Sequence, residues 1–94
     1  MNKPMLRKKF VIKNKNGLHA RPADKLVKLA SQFKSDIQLS KDGMTVNAKS
    51  IMGVLTLAAE AGSEIEVIAR GVDEAEALEA IGRLLESDFG EPQS

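Results

Sequence analysis

The chain has 94 residues, 43% hydrophobic and 29% charged, the balance of one compact domain with a modest core rather than of a disordered segment. It contains no Cys, Trp or Tyr, which excludes disulfides and Cys-ligated metal sites and leaves base stacking, the usual device of single-strand nucleic-acid readers, to three Phe. Net charge is only +1, yet residues 1–49 carry twelve Lys/Arg against Asp24, Asp36 and Asp42, and residues 50–94 carry ten acids against Arg70 and Arg83.

In chain order, Met1 to Lys9 is basic, but Phe10-Val11-Ile12 is too short an apolar run for a signal peptide. No stretch approaches the ~18 apolar residues of a membrane span, so the expected setting is cytoplasmic, without membrane insertion. Leu6, Phe10 and Ile12 alternate with Arg7, Lys9, Val11 and Lys13 and predict a first strand. Asn14 to Gly17 has turn chemistry. Ala23, Leu26, Val27, Ala30 and Phe33 then follow the spacing of an amphipathic helix.

Ile37 and Leu39 lead to Asp42-Gly43 and then to Met44 and Val46, a hairpin signal because both turn positions need positive φ. Ser50 is a good N-cap for a short apolar helix, Ile51-Met52-Gly53-Val54-Leu55, that stops by Gly62. Ile65, Val67 and Ala69 alternate with Glu64, Glu66 and Arg70 in a fourth strand. Asp73 and Glu76 have the spacing of a capping box before the buried face Leu78, Ile81, Leu85 of a last helix. The order β-α-β-β-α-β-α, with one apolar face per strand, predicts an α+β fold: an antiparallel sheet with helices on one side. Residues 1–94 read as one domain, with 1–5 and 90–94 as flexible ends.

One segment contradicts local rules. Asn16-Gly17-Leu18-His19-Ala20-Arg21-Pro22-Ala23 places His19 at a helix cap and Arg21 in the first turn. Caps favour Ser, Thr, Asp or Asn, and first turns favour acids. Such conflicts mark functional sites, and this one disappears if an anion belongs there. Free first-turn N–H groups bind phosphate, and Arg21 adds a charge-assisted contact. Positive surroundings favour a neutral, nucleophilic imidazole, which can accept a phosphoryl group covalently. On spacing alone, His19 as an ordinary loop histidine and Arg21 as a surface base stay open.

Gly17-Leu18-His19-Ala20-Arg21-Pro22-Ala23 resembles the signature of the histidine-containing phosphocarrier (HPr) family of the phosphoenolpyruvate-dependent sugar phosphotransferase system. Lys49-Ser50-Ile51-Met52-Gly53-Val54-Leu55 resembles its regulatory-serine segment, and the likeness runs from about Arg7 to Glu86. The resemblance implies an open-faced β-sandwich, a four-stranded antiparallel sheet covered on one side by three helices. It implies that Nδ1 of His19 accepts phosphate from phosphorylated enzyme I and donates it to IIA components, with Arg21 and the backbone of Ala20 and Arg21 cradling the group. It also implies phosphorylation of Ser50 by HPr kinase/phosphorylase, and docking through Ile51, Met52, Leu55 and Lys28. A carrier of this kind needs no cofactor or metal, is not a stand-alone catalyst and works as a monomer.

Asp24 departs from the pattern: an acid stands where a small or neutral residue is expected. The alternatives are a regulatory adaptor controlled through Ser50, a nitrogen-related paralogue of the carrier, a phosphohydrolase and a nucleic-acid binder. Retention of His19 favours a carrier over an adaptor. A hydrolase lacks a second His and an evident catalytic acid. Binding of nucleic acid through Lys3, Arg7, Lys8, Lys9, Lys13 and Lys15 conflicts with the acidic second half.

Overall fold

A computed structural model describes residues 5–89. The elements are β1 (Leu6–Val11), α1 (Ala20–Ala30), β2 (Asp36–Lys41), β3 (Met44–Asn47), α2 (Ile51–Leu57), β4 (Glu64–Arg70) and α3 (Glu74–Leu85). Of the expected flexible ends, residues 1–4 and 90–94 lie outside the described residues; Met5 is described and exposed.

The four strands form one sheet in the order β1-β4-β2-β3, every pair antiparallel. Register follows from the alternation of side chains, since a slip of one residue would turn every apolar side chain to the wrong face. Phe10 pairs with Ile65, Leu39 lies between Val67 and Val46, and Ile37 pairs with Ala69. These residues share the face that the three helices cover; all but the partly buried Val46, which packs against them, join Leu26, Val54, Ile81 and Leu85 in one buried cluster. The predicted hairpin is present: Asp42 and Gly43 have φ of 50° and 83°.

Two packing features were not visible as periodicity. Gly82 of α3 is seated on the ring of Phe10 so closely that a β-carbon there would lie 2.2 Å from Cε1. Phe89, beyond the last helix, is buried to 1% exposure, and its carbonyl accepts a hydrogen bond from Lys25 Nζ on α1. Leu6, expected as an inward strand residue, is exposed at the start of the edge strand β1.

The capping box predicted at Asp73 and Glu76 is not formed. Asp73 is the N-cap residue of α3, but its carboxylate makes no cap hydrogen bond. Instead it accepts from the amides of Lys34 and Ser35, each at 2.9 Å, and from Ser35 Oγ. Three donors from the connection between α1 and β2 outcompete a single helix amide. Glu74, not Glu76, reaches back, accepting from the Gly71 amide at 3.0 Å. The charge asymmetry resolves in the same cross-chain manner, with the two halves mixing: Arg7 pairs with Glu66 and Lys9 with Glu64 across β1 and β4.

Candidate functional site

The turn before α1 is held from several sides. Asn14 is fully buried, and its Nδ2 donates to the Gly17 carbonyl at 2.7 Å. Gly17 has φ +68°, and a β-carbon on it would meet the Ala59 carbonyl oxygen at 2.5 Å and the Glu60 Cα at 2.9 Å. Only glycine fits both the left-handed backbone and this close approach. Leu18 is buried, and its amide donates to the same Ala59 carbonyl at 2.8 Å. The chain therefore enters α1 at a fixed place.

His19 is the N-cap residue of α1, with extended backbone (φ −87°, ψ −165°) and an exposed side chain that does not cap the helix. Its carbonyl already accepts from the Ala23 amide at 2.8 Å. Pro22, buried below, has no N–H to leave unsatisfied, which is why proline is tolerated in a first turn. Among the described residues, the amides of Ala20 and Arg21 have no intramolecular partner, and the Arg21 side chain makes no ion pair. No acid lies in this first turn. Two unspent N–H groups at a helix N-terminus, an exposed imidazole before them and the exposed Arg21 side chain in the same first turn form an arrangement suited to an anion, although Arg21 does not line the depression at His19.

His19 and Ala20 line a shallow depression with Lys15, Asn16, Leu55 and Glu60. Of the expected docking residues, only Leu55 reaches it. Ile51 and Met52, the latter 70% exposed, continue an apolar strip along α2, whereas Val54 is core. Ser50 caps α2: its Oγ accepts from the Gly53 amide at 3.1 Å, and it is half-buried. Lys28 stands two turns beyond Arg21 and pairs with Asp24 at 2.9 Å. Lys15, Asn16 and Glu60 were missed in the sequence; the turn reading of Asn14 to Gly17 was the available signal for the first two.

A second concavity lies on the uncovered side of the sheet between Arg7, Gln38, Asn47, Lys49 and Arg70. Two of its cations are engaged elsewhere, Arg7 with Glu66 and Lys49 Nζ with the Phe33 carbonyl, and it contains none of the candidate residues. Among the described residues, no three His, Asp or Glu side chains gather into a group able to hold a metal, and no helix is long and apolar enough to cross a membrane.

Residues 6–87 match the family model described as the PTS HPr component phosphorylation site. The chain belongs to the HPr family. Phosphocarrier protein HPr of Treponema pallidum is 49% identical over 87 residues, 93% of this chain and 99% of that one. Among solved structures, HPr from Thermoanaerobacter tengcongensis is 48% identical, with a TM-score of 0.89 over 94% of this chain and 99% of that one. Crh of Bacillus subtilis, crystallised as a dimer with a swapped domain, is 46% identical, with a TM-score of 0.71 over 87% and 97%. The element order and the antiparallel sheet with helices on one side are those expected from the strand and helix patterning, and the open-faced sandwich is the architecture that the resemblance implied.

Proposed function

We propose that the protein is a phosphocarrier that accepts a phosphoryl group on His19 from phosphorylated enzyme I and donates it to IIA components of a sugar-uptake system. The observation that carries this reading is the pair of unspent amides, Ala20 and Arg21, beside the exposed imidazole. Nδ1 attacks phosphorus as the bond from phosphorus to the donor breaks, and the new P–N bond leaves the phosphoryl oxygens facing these amides and the Arg21 guanidinium. In the return step the acceptor attacks and the P–N bond breaks. This reading gives the protein the role of a carrier whose turnover uses the partners' catalytic groups.

Docking is assigned to Ile51, Met52 and Leu55, an exposed apolar strip that reaches the His19 depression through Leu55, and to Lys28 on α1. Exposed Met in such a strip suits a surface that must receive several partners. All residues named come from one chain, so a cytoplasmic monomer suffices for transfer; light scattering separates it from a swapped dimer like that of Crh.

A second, regulatory reading attaches to Ser50. Its half-buried Oγ already accepts a helix amide, and a phosphate there would gain from the helix terminus while placing about two negative charges beside Ile51 and Met52. The deciding experiment is phosphoenolpyruvate-dependent labelling by enzyme I of the sugar type and, in parallel, of the nitrogen type. Labelling by the sugar type alone supports the sugar assignment.

A further inference from the structure

Asp24 is the one acid in α1, between Arg21 and Lys28. At 1.5 Å per residue it stands about 7.5 Å along the axis from His19 and about 4.5 Å from Arg21. At about 100° per residue, Arg21, Asp24 and Lys28 share one outward stripe some 60° wide, while Lys25 turns to the other flank and is occupied by the Phe89 carbonyl. The Asp24 side chain is 55% exposed and that of Lys28 74%, so their ion pair leaves the acid partly open to solvent.

Arg21 and Asp24 stand one turn apart on this stripe, so a protein whose surface covers Arg21 covers this carboxylate as well. A standard interface covers about 800 Å² per partner, a disc of about 16 Å radius, and Asp24 falls well inside it. Docking therefore strips water from Asp24. A surface acidic throughout, the simplest match to Arg21 and Lys28, would set carboxylate against carboxylate at the centre of the stripe, and like charges across an interface oppose binding. One Lys at the rim does not satisfy a carboxylate that has lost its water on the partner side.

We infer that Asp24 is a specificity-determining contact: the protein that exchanges phosphoryl groups with His19 presents acids to Arg21 and a Lys or Arg to Asp24. The inference rests on the carrier reading above and adds the charge pattern of the partner. It makes the stripe a discriminator, since a partner with an unbroken acidic face is penalised where this one is accepted.

The test is steady-state phosphorylation of the full chain by its own enzyme I and phosphoenolpyruvate, at low and high ionic strength, for wild type, Asp24→Glu, Asp24→Asn and Asp24→Lys. Thermal melts exclude loss of fold as the cause. Asp24→Lys is expected to raise KM about tenfold at low salt with kcat little changed, Asp24→Asn less, and Asp24→Glu to stay near wild type. The differences should shrink at high salt. An unchanged or lower KM for Asp24→Lys overturns the inference while leaving the carrier reading intact. Absence of phosphorylation in the wild type overturns both.

Discussion

The amide of Leu18 donates to the carbonyl of Ala59 at 2.8 Å, fastening the residue before His19 to the segment after α2. This bond and the contact of Gly17 with the same carbonyl join the two parts of the candidate site, the start of α1 and the apolar strip of α2. The imidazole and the docking strip thus keep one relative position without being neighbours in sequence.

Gly17→Ala tests that joint. Its β-carbon would collide with backbone, and alanine at φ +68° is strained. We expect a loss of about 1–3 kcal/mol in urea unfolding, together with slower phosphorylation because His19 shifts against the strip. An unchanged unfolding midpoint would show that the loop relaxes freely.

Acid titration reports a second joint, remote in sequence. The Ser35 hydroxyl, then the Lys34 and Ser35 amides, hold the Asp73 carboxyl at about 2 against an ordinary 3.8. The folded state therefore binds this proton less readily than the unfolded chain. The stabilisation is complete above about pH 4 and is lost as pH falls towards 2. Glu66, lowered by its hydrogen bond from Arg7, adds a slope of the same sign. Asp73→Asn should flatten the decline of thermal midpoint in that window. An identical slope would remove Asp73 from the linkage.

Much of this fold is legible in the sequence because local signals agree with tertiary demand. Asp42-Gly43 needs positive φ at two consecutive residues and has it; the alternation of Ile65, Val67 and Ala69 names the covered face. At His19 the signal was a conflict with helix rules, and the helix does begin directly after it. What escaped the sequence depends on distant partners. Asp73 looked like a cap because nothing local revealed Ser35. Phe89 carries no signal in the sequence because a lone apolar residue between Asp88 and Gly90 has no period to read, yet it is buried. Asn14 looked like turn chemistry, and only the packed structure shows it buried.

Phe89→Ala should expose how much the segment after α3 contributes. Removal of a fully buried ring costs about 3–5 kcal/mol in typical cores, so a large fall in unfolding free energy is expected. A loss below about 1 kcal/mol would mean that the ring is readily replaced by neighbours or water.

Ser50→Ala removes the α2 cap and should cost about 1 kcal/mol, while ATP-dependent labelling by HPr kinase/phosphorylase should vanish. Labelling that persists in this variant would place the regulatory phosphate on another residue.

Arg21→Glu should slow transfer with the fold retained, since its exposed side chain makes no hydrogen bond or ion pair among the described residues. Its effect belongs to the phosphoryl group: an acid in the first turn repels the incoming charge. Unchanged transfer kinetics with a native melt would remove Arg21 from the mechanism.

The central claim is tested most directly by acid-labile phosphate uptake from phosphoenolpyruvate and enzyme I, in wild type and His19→Ala side by side. The account predicts one labile phosphate on the wild type and none on the variant, with both proteins folded. Labelling of His19→Ala at the wild-type level would contradict it.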